Sequence, residues 1–133
     1  MTTATARTLE LRFEAPPPEL SPNVKKHHMV KARAVRQYRW ECNLDARNQA
    51  FGDWKGPVSP LTSPVKATVT FVVPDKRRRD TDNLMAALKP LWDGLRDARV
   101  LVDDSHEHLR HGEPSVRVEK GQRYVLVTLE EQR

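Results

Sequence analysis

The chain has 133 residues, with 23 Lys and Arg against 18 Asp and Glu, a formal net charge of +5 and an isoelectric point of about 9.7. Cys42 is the one cysteine, which excludes an internal disulfide and a cysteine-based zinc site. No stretch approaches the roughly 20 apolar residues that span a bilayer, and the first residues lack the apolar region of a signal peptide. We therefore expect one soluble, cytoplasmic domain over residues 1–133, with no membrane partner.

The first half of the chain predicts one strand and one long helix. Residues 8–13 alternate apolar and polar side chains, a pattern that is typical of a half-buried strand. A stiff, proline-rich connector follows at residues 16–23, because proline holds the backbone extended and donates no hydrogen bond. Residues 25–50 contain no Pro or Gly and repeat apolar side chains every three or four positions, which predicts an amphipathic helix.

The next segment predicts a buried strand and a broken helix. Residues 65–73 are rich in β-branched side chains, and Pro74 ends this strand. A helical pattern begins at Asp80 and is interrupted at Pro90. Since proline removes a backbone hydrogen bond and clashes with the preceding turn, we expect a kink or two short helices, the second starting near Pro90.

Three more strands are expected in the last third of the chain. They are predicted at residues 100–102, 116–119 and 124–129, and the last two are expected to form a hairpin around Gly121. The resulting order β-α-β-α-β-β-β predicts a small α+β domain, in which two main helices cover one mixed β-sheet.

Positive charge is concentrated in two stretches. Residues 22–50 carry seven Lys and Arg against two acidic residues, and residues 76–79 are four consecutive cations. Localised positive charge attracts polyanions, which favours contact with DNA phosphates. A solvated helix face and a charged loop are the structural alternatives. The candidate DNA contacts are Lys31, Arg36, Arg39, Lys76, Arg77, Arg78 and Arg79.

Carboxylates follow the second basic stretch. Asp80 and Asp82 lie at the start of the broken helix, and Asp103 and Asp104 follow residues 100–102. Mg²⁺ binds carboxylate and phosphate oxygens, and it can supply a nucleophilic water for phosphodiester hydrolysis. Helix capping and a turn are the structural alternatives for these residues. Because adjacent strand residues point to opposite faces, only one of Asp103 and Asp104 is expected to face a metal.

Three segments share the order and spacing of a known motif set. They are Arg78-Arg79-Asp80-Thr81-Asp82-Asn83-Leu84, Leu88-Lys89-Pro90-Leu91-Trp92-Asp93-Gly94-Leu95 and Val100-Leu101-Val102-Asp103-Asp104-Ser105. Together they closely resemble the RusA family of Holliday junction resolvases, in particular its phage and prophage forms. The likeness extends to the Ser21-Pro22-Asn23 turn, the helix after it and the closing strands, so it covers nearly the whole chain.

The resemblance implies a RusA-like domain that acts as a homodimeric crossover junction endodeoxyribonuclease. Such an enzyme nicks branched DNA at four-way junctions during recombination and repair and depends on Mg²⁺, with Mn²⁺ as an alternative. By this likeness Asp80, Asp82 and Asp104 make the metal site and Lys89 is the catalytic lysine. In the best-known members that lysine lies four residues after the second Asp of D-x-D, where this chain has Ala86. Positions four and seven share a helix face, so Lys89 is expected to reach the site.

Alternatives remain for the function and for several residues. The shifted lysine leaves a non-catalytic DNA-binding protein of the same fold as the alternative function. Asn83 is expected to fix Asp82 or contact the DNA backbone. The five histidines match no zinc pattern, so we expect surface or phosphate-contacting roles for them. A two-fold homodimer would supply the two sites that paired cuts require.

Overall fold

One mixed sheet of five strands organises the computed structural model, which describes residues 6–52, 60–62 and 64–132. The strands are β1 (Thr8–Glu14), β2 (Val65–Val73), β3 (Leu109–His111), β4 (Ser115–Val118) and β5 (Tyr124–Glu131). The helices are α1 (His28–Phe51), α2 (Thr81–Ala86) and α3 (Lys89–Asp97), and a 3₁₀ helix covers Pro18–Leu20. The predicted α+β class and mixed sheet are confirmed. Within the described ranges, no helix is both long and apolar enough to cross a bilayer.

The centre of the sheet is the antiparallel pair of β2 and β5, and β1 lies antiparallel to β5 on its other side. The short strands β3 and β4 follow one another along the opposite edge of β2, and both run parallel to it. One face of β2 is fully buried at Val65, Ala67, Val69, Phe71 and Val73. The predicted strand at residues 65–73 is therefore confirmed to its ends.

The long helix predicted at residues 25–50 is confirmed as α1, and it packs on the sheet through a narrow stripe. Tyr38, Cys42 and Ala46 are buried, whereas Val35, which belongs to the same repeat of apolar side chains, is 38% exposed. The Tyr38 hydroxyl donates a hydrogen bond of 2.7 Å to the carbonyl oxygen of Glu14. This bond ties the middle of α1 to the end of β1.

The break predicted at Pro90 is also confirmed. Pro90 is the second residue of α3, where the backbone N–H has no partner within the helix, so its absence costs nothing. The Asp80 carboxylate caps α2 by accepting hydrogen bonds from the backbone nitrogens of Asp82 (2.9 Å) and Asn83 (3.4 Å). The cap fixes Asp80 at the N-terminus of α2.

The strand predicted at residues 100–102 is wrong. These residues form a bend that closes α3, because Arg99 adopts a left-handed backbone with a φ of 62°. The backbone nitrogens of Arg99 and Val100 donate to the carbonyl oxygens of Arg96 and Leu95, both at 3.0 Å, which is the Schellman arrangement of a helix C-terminus. Val100 is buried as the apolar residue of this cap. The third strand is instead β3, several residues later.

The hairpin predicted at Gly121 is wrong as well. β4 and β5 do not pair, because β2 lies between them and bonds to both. Residues 119–123 instead cross the C-terminal end of β2, where the Glu119 nitrogen donates to the Val73 carbonyl oxygen at 2.9 Å. This crossing brings the start of β5 to the end of β2 at which the Asp80 loop begins.

Helices α1 and α3 approach closely at Gly94. A Cβ atom there would lie 2.8 Å from the carbonyl oxygen of Arg39 and 3.1 Å from the nitrogen of Asn43. Alanine in a helix normally stabilises by roughly 0.5–1 kcal/mol over glycine, but backbone atoms of α1 cannot yield at this position. We expect Gly94→Ala to lower the free energy of unfolding by about 1–3 kcal/mol in urea denaturation. An unchanged or higher stability would contradict this close packing.

Candidate nucleic-acid interface

A cavity of about 730 Å³ opens at the C-terminal end of β2, beside the start of β5. Its polar lining includes Arg77, Arg78, Arg79 and Arg123 together with Asp80 and Asn83. The proline-rich residues 15–18 contribute a second wall. The three arginines of the basic run and the capped end of α2 thus share one concave surface with the connector between β1 and α1.

Asp75 and Arg79 organise the loop that carries these arginines. The Asp75 carboxylate accepts hydrogen bonds of 3.0 Å from the Arg77 nitrogen and from Arg79 Nη2. Arg79 Nη1 also donates to the carbonyl oxygens of Asp75 and Arg77, both at 2.9 Å. The backbone hydrogen bond from Arg77 and the Arg79 guanidinium lower the pKa of Asp75. Arg79 is therefore turned into its own loop, and its side chain is only 11% exposed.

The remaining cations of the run face solvent. Lys76, Arg77 and Arg78 are exposed, and they form no ion pair within residues 6–52, 60–62 and 64–132. Of these, Arg77 and Arg78 line the cavity. A guanidinium without an acidic partner keeps its full charge available to a phosphate.

Lys89, the first residue of α3, contacts Asp104 in the segment that follows this helix. Lys89 Nζ donates to Asp104 Oδ2, and it lies 3.0 Å from Asp93 Oδ1. Arg96 Nη1 lies 3.5 Å from Asp103 Oδ1 and also 3.5 Å from Asp104 Oδ1. Partial burial is the largest single influence on Asp104 and favours its neutral form, but the hydrogen bond and the charge of Lys89, together with hydrogen bonds to neighbouring groups, outweigh it and lower the pKa of Asp104 to about 2. The same hydrogen bond raises the pKa of Lys89.

Lys89 contacts Asp104, one of the three predicted metal ligands, and its role as the catalytic lysine stays a prediction. Asp103 and Asp104 do not sit on a strand, so strand alternation does not choose between them. Asp104 is the more enclosed, with a side chain that is 12% exposed against 39% for Asp103.

The three predicted metal ligands are engaged in different ways. Asp80 caps α2, Asp82 is exposed in its first turn, and Asp104 is paired with Lys89 and Arg96. Carboxylate oxygens suit Mg²⁺ chemically. Across the described part of the chain, however, no group of three His, Cys, Asp or Glu side chains is arranged to hold a metal ion. A joint Mg²⁺ site of Asp80, Asp82 and Asp104 stays a prediction.

The helix cations differ from one another. Arg39 forms a two-pronged ion pair with Asp97, with Nε–Oδ2 at 2.6 Å and Nη2–Oδ1 at 2.9 Å, and this hydrogen bonding raises the pKa of Arg39. It links α1 to α3. Arg36 is exposed and Lys31 half-buried, and neither has an ion pair with a described residue. Their contact with DNA stays a prediction.

Sequence reasoning did not single out Arg123 or Arg96. Arg123 reaches the cavity because residues 119–123 cross the end of β2. The hairpin predicted from the sequence did not include this crossing. Arg96 faces the Asp103 and Asp104 carboxylates from the last turn of α3. Its spacing of three from Asp93 was a readable local signal for an ion pair, and the two side chains lie 3.8 Å apart.

Comparison with known proteins adds a relative without an assigned role. No family model matches the chain. An uncharacterized protein of Xylella fastidiosa is 33% identical over 89 residues, which cover 67% of this chain and 56% of the relative. The chain thus spans about half the length of the curated relative that it matches.

Proposed function

We propose that this chain is a Mg²⁺-dependent, structure-selective endodeoxyribonuclease of the RusA type, which resolves four-way DNA junctions by paired symmetric nicks in recombination and repair. The observation that carries the proposal is the cavity of about 730 Å³ in which Arg77, Arg78 and Arg123 stand beside Asp80 and Asn83. Cations for a phosphate and a carboxylate for a metal lie in one concave surface. That combination is what hydrolysis of a phosphodiester requires.

Phosphate binding is the first step that the cavity supports. Arg77, Arg78 and Arg123 are exposed and have no described acidic partner, so their charge is available to a DNA backbone. Each phosphate neutralised by such a group releases counterions, which makes the affinity fall steeply with salt. Asn83 lies on the same surface, where its amide can donate to a phosphate oxygen.

The carboxylates supply the second requirement. Mg²⁺ commonly takes one or two carboxylates and completes its coordination with water and substrate phosphate. Asp80 and Asp82 at the start of α2, with Asp104, are the residues that would hold the ion. When bound, Mg²⁺ activates a water and stabilises the leaving oxygen. Lys89 is proposed to hold Asp104 in place through the ion pair between them.

A second candidate function is DNA binding without hydrolysis. It is favoured by the engagement of Asp104, whose two oxygens already face Lys89 and Arg96. A carboxylate neutralised by two cations is a weaker metal ligand than a free one, because the cations must be displaced or rearranged. The cavity and its arginines serve either function equally.

Incubation of the protein with an end-labelled four-way junction separates the two candidates. We expect symmetric nicks in two opposite strands with Mg²⁺ and none with EDTA, while linear duplex of the same sequence stays intact. Junction binding is read in parallel by mobility shift. Binding without metal-dependent nicking would replace the nuclease by the second candidate, and equal affinity for junction and linear duplex would remove the structural selectivity.

Removing the Lys89 side chain tests its proposed role. In Lys89→Ala, Asp93 and Asp104 lose their shared cation, so we expect the cleavage rate to fall roughly tenfold to a hundredfold with little change in junction affinity. Lys89→Arg keeps the positive charge and is the matched control, for which we expect partial activity. Turnover of Lys89→Ala at the unsubstituted rate would show that Lys89 has no part in cleavage.

A further inference from the structure

The two outer edges of the sheet are treated differently. On β1, the Gln49 side chain of α1 bonds to both backbone groups of Arg12, with Arg12 N–Oε1 at 2.7 Å and Nε2–Arg12 O at 2.6 Å. The Tyr38 hydroxyl covers the carbonyl oxygen of Glu14 on the same strand. These side chains occupy hydrogen-bonding groups that would otherwise be open to another strand.

The outer edge of β4 has no such cover. The Glu119 nitrogen donates to Val73, so by alternation Arg117 and Ser115 also direct their backbone groups toward β2, while Val116 and Val118 direct theirs away from it. No described residue bonds to these outward groups.

Two apolar side chains of β4 are exposed as well. Val116 and Val118 are opposite the buried Phe71 and Val73 in the register with β2, yet they are 41% and 43% exposed. Two β-branched side chains and an unpaired backbone edge therefore lie together at one rim of the sheet. Natural sheets usually shield such an edge, and an uncovered one is a template for another strand.

We propose that β4 pairs antiparallel with β4 of a second copy of this chain across a two-fold axis, which joins the two sheets into one. A two-fold contact uses the same patch on both partners. The end of β4 is suited to that because Arg117 and Glu119, just after the strand, carry opposite charges on either side of Val118. The inference goes beyond the proposed function, which requires a homodimer without specifying its interface.

Among the registers that centre the axis on Val116, Arg117 or Val118, the sequence of β4 favours one. Centring the axis on Arg117 would set this guanidinium opposite its own copy, which is destabilising. Centring it on Val116 would set Val118 opposite the partner's Pro114, which has no N–H to donate. Centring it on Val118 pairs this valine with itself through its outward backbone groups.

Charge supports the Val118 register. It sets Arg117 opposite the partner's Glu119 and Glu119 opposite the partner's Arg117, on the face away from the valines. Within one chain Arg117 Nε already lies 2.8 Å from Glu119 Oε2, so both side chains occupy the same face. Opposite charges directly across an antiparallel pair stabilise it.

The interface would place the two cavities in relation to each other. Val73, the neighbour of Val118 on β2, also lines the cavity, so each cavity lies next to the proposed axis. A seam of about four residues buries less than the roughly 800 Å² per partner of a standard interface. We therefore expect a weak dimer, and its test has to trap the contact.

Disulfide trapping reads the register directly. Arg117 and the partner's Glu119 would form a pair without backbone hydrogen bonds, with Cα atoms about 4.5 Å apart, which a disulfide can bridge. Arg117→Cys protein, lengthened by a tag, is mixed with untagged Glu119→Cys protein and oxidised. We expect a mixed disulfide dimer. It should form at least about tenfold faster than the disulfide dimer of the control Val30→Cys, whose substituted residue lies on α1 and is similarly exposed. The native Cys42 is buried.

Two results would overturn the proposal. One is a mixed dimer that forms no faster than the Val30→Cys control. The other is self-crosslinking of Arg117→Cys alone, which indicates a different register. Sedimentation of two further variants guards against misfolding: Arg117→Glu should weaken association, and Arg117→Glu with Glu119→Arg should restore it. Because no DNA or nicking enters these measurements, their failure is distinct from failure of the proposed nuclease function.

Discussion

An Asp82→Asn variant is expected to lose junction cleavage by roughly a hundredfold or more while it binds the junction as well as the unsubstituted protein or better. Asp82 is exposed in the first turn of α2 and holds no described partner through its side chain. The substitution therefore removes a proposed metal-ligating charge without breaking a structural contact. Fewer negative charges beside the arginine-lined cavity also favour a bound phosphate.

The control for this variant is Glu10→Gln, which changes the net charge by the same amount on the exposed side of β1. We expect it to cleave and bind normally. Rates are measured at several Mg²⁺ concentrations, because a weakened metal site should recover part of its activity as Mg²⁺ rises. Unchanged cleavage by Asp82→Asn would remove Asp82 from the site, and an equal loss of cleavage and binding would indicate a phosphate-binding or structural defect.

Local signals in the sequence were sufficient for the strongly patterned elements. The β-branched run at residues 65–73 stops at Pro74, and Pro90 divides the second helical segment, so the ends of β2 and the start of α3 could be predicted. The strand predicted at residues 100–102 is wrong because these apolar residues belong to the cap of a helix instead. That cap depends on Arg99 adopting a φ of 62°, which a non-glycine residue rarely does.

Long-range pairing could not be predicted from the same signals. The turn at Gly121 favours a hairpin locally, but β2 bonds to both flanking strands, and partners so distant in sequence leave no local trace. Arg123 was missed as a result. The link between Arg39 and Asp97 spans 58 residues, so a helix cation that looked free proved to be paired.

Part of the candidate site could be predicted, because it depends on residues that are adjacent in the sequence. Asp80 as a helix cap and the basic run beside it follow from adjacent residues, and both occur at the cavity. The contact between Lys89 and Asp104 joins residues 15 positions apart across the end of α3. The sequence predicted only that Lys89 reaches the site, from the family resemblance together with the helix face shared by the positions four and seven residues after Asp82.

Replacing Arg77 and Arg78 by alanine is expected to weaken junction binding by tens of fold near 0.1 M salt. Both side chains are exposed, line the cavity and lack described ion pairs. If each contacts one phosphate, the slope of log affinity against log salt should flatten by about 1.8 units, since each contact contributes about 0.9. Affinity for every junction sequence should fall alike, because phosphate contacts carry no base information.

The matched control removes the same charge from the far end of the sheet. Lys66 and Arg110 are exposed neighbours in the register of β2 and β3, about 20 Å along β2 from its C-terminal end. Replacing both by alanine should leave the salt slope within about half a unit of the unsubstituted protein. If the two double variants flatten the slope of log affinity against log salt equally, the affinity for DNA depends on the net charge of the protein and not on the cavity. The phosphate-binding role of Arg77 and Arg78 would then be wrong.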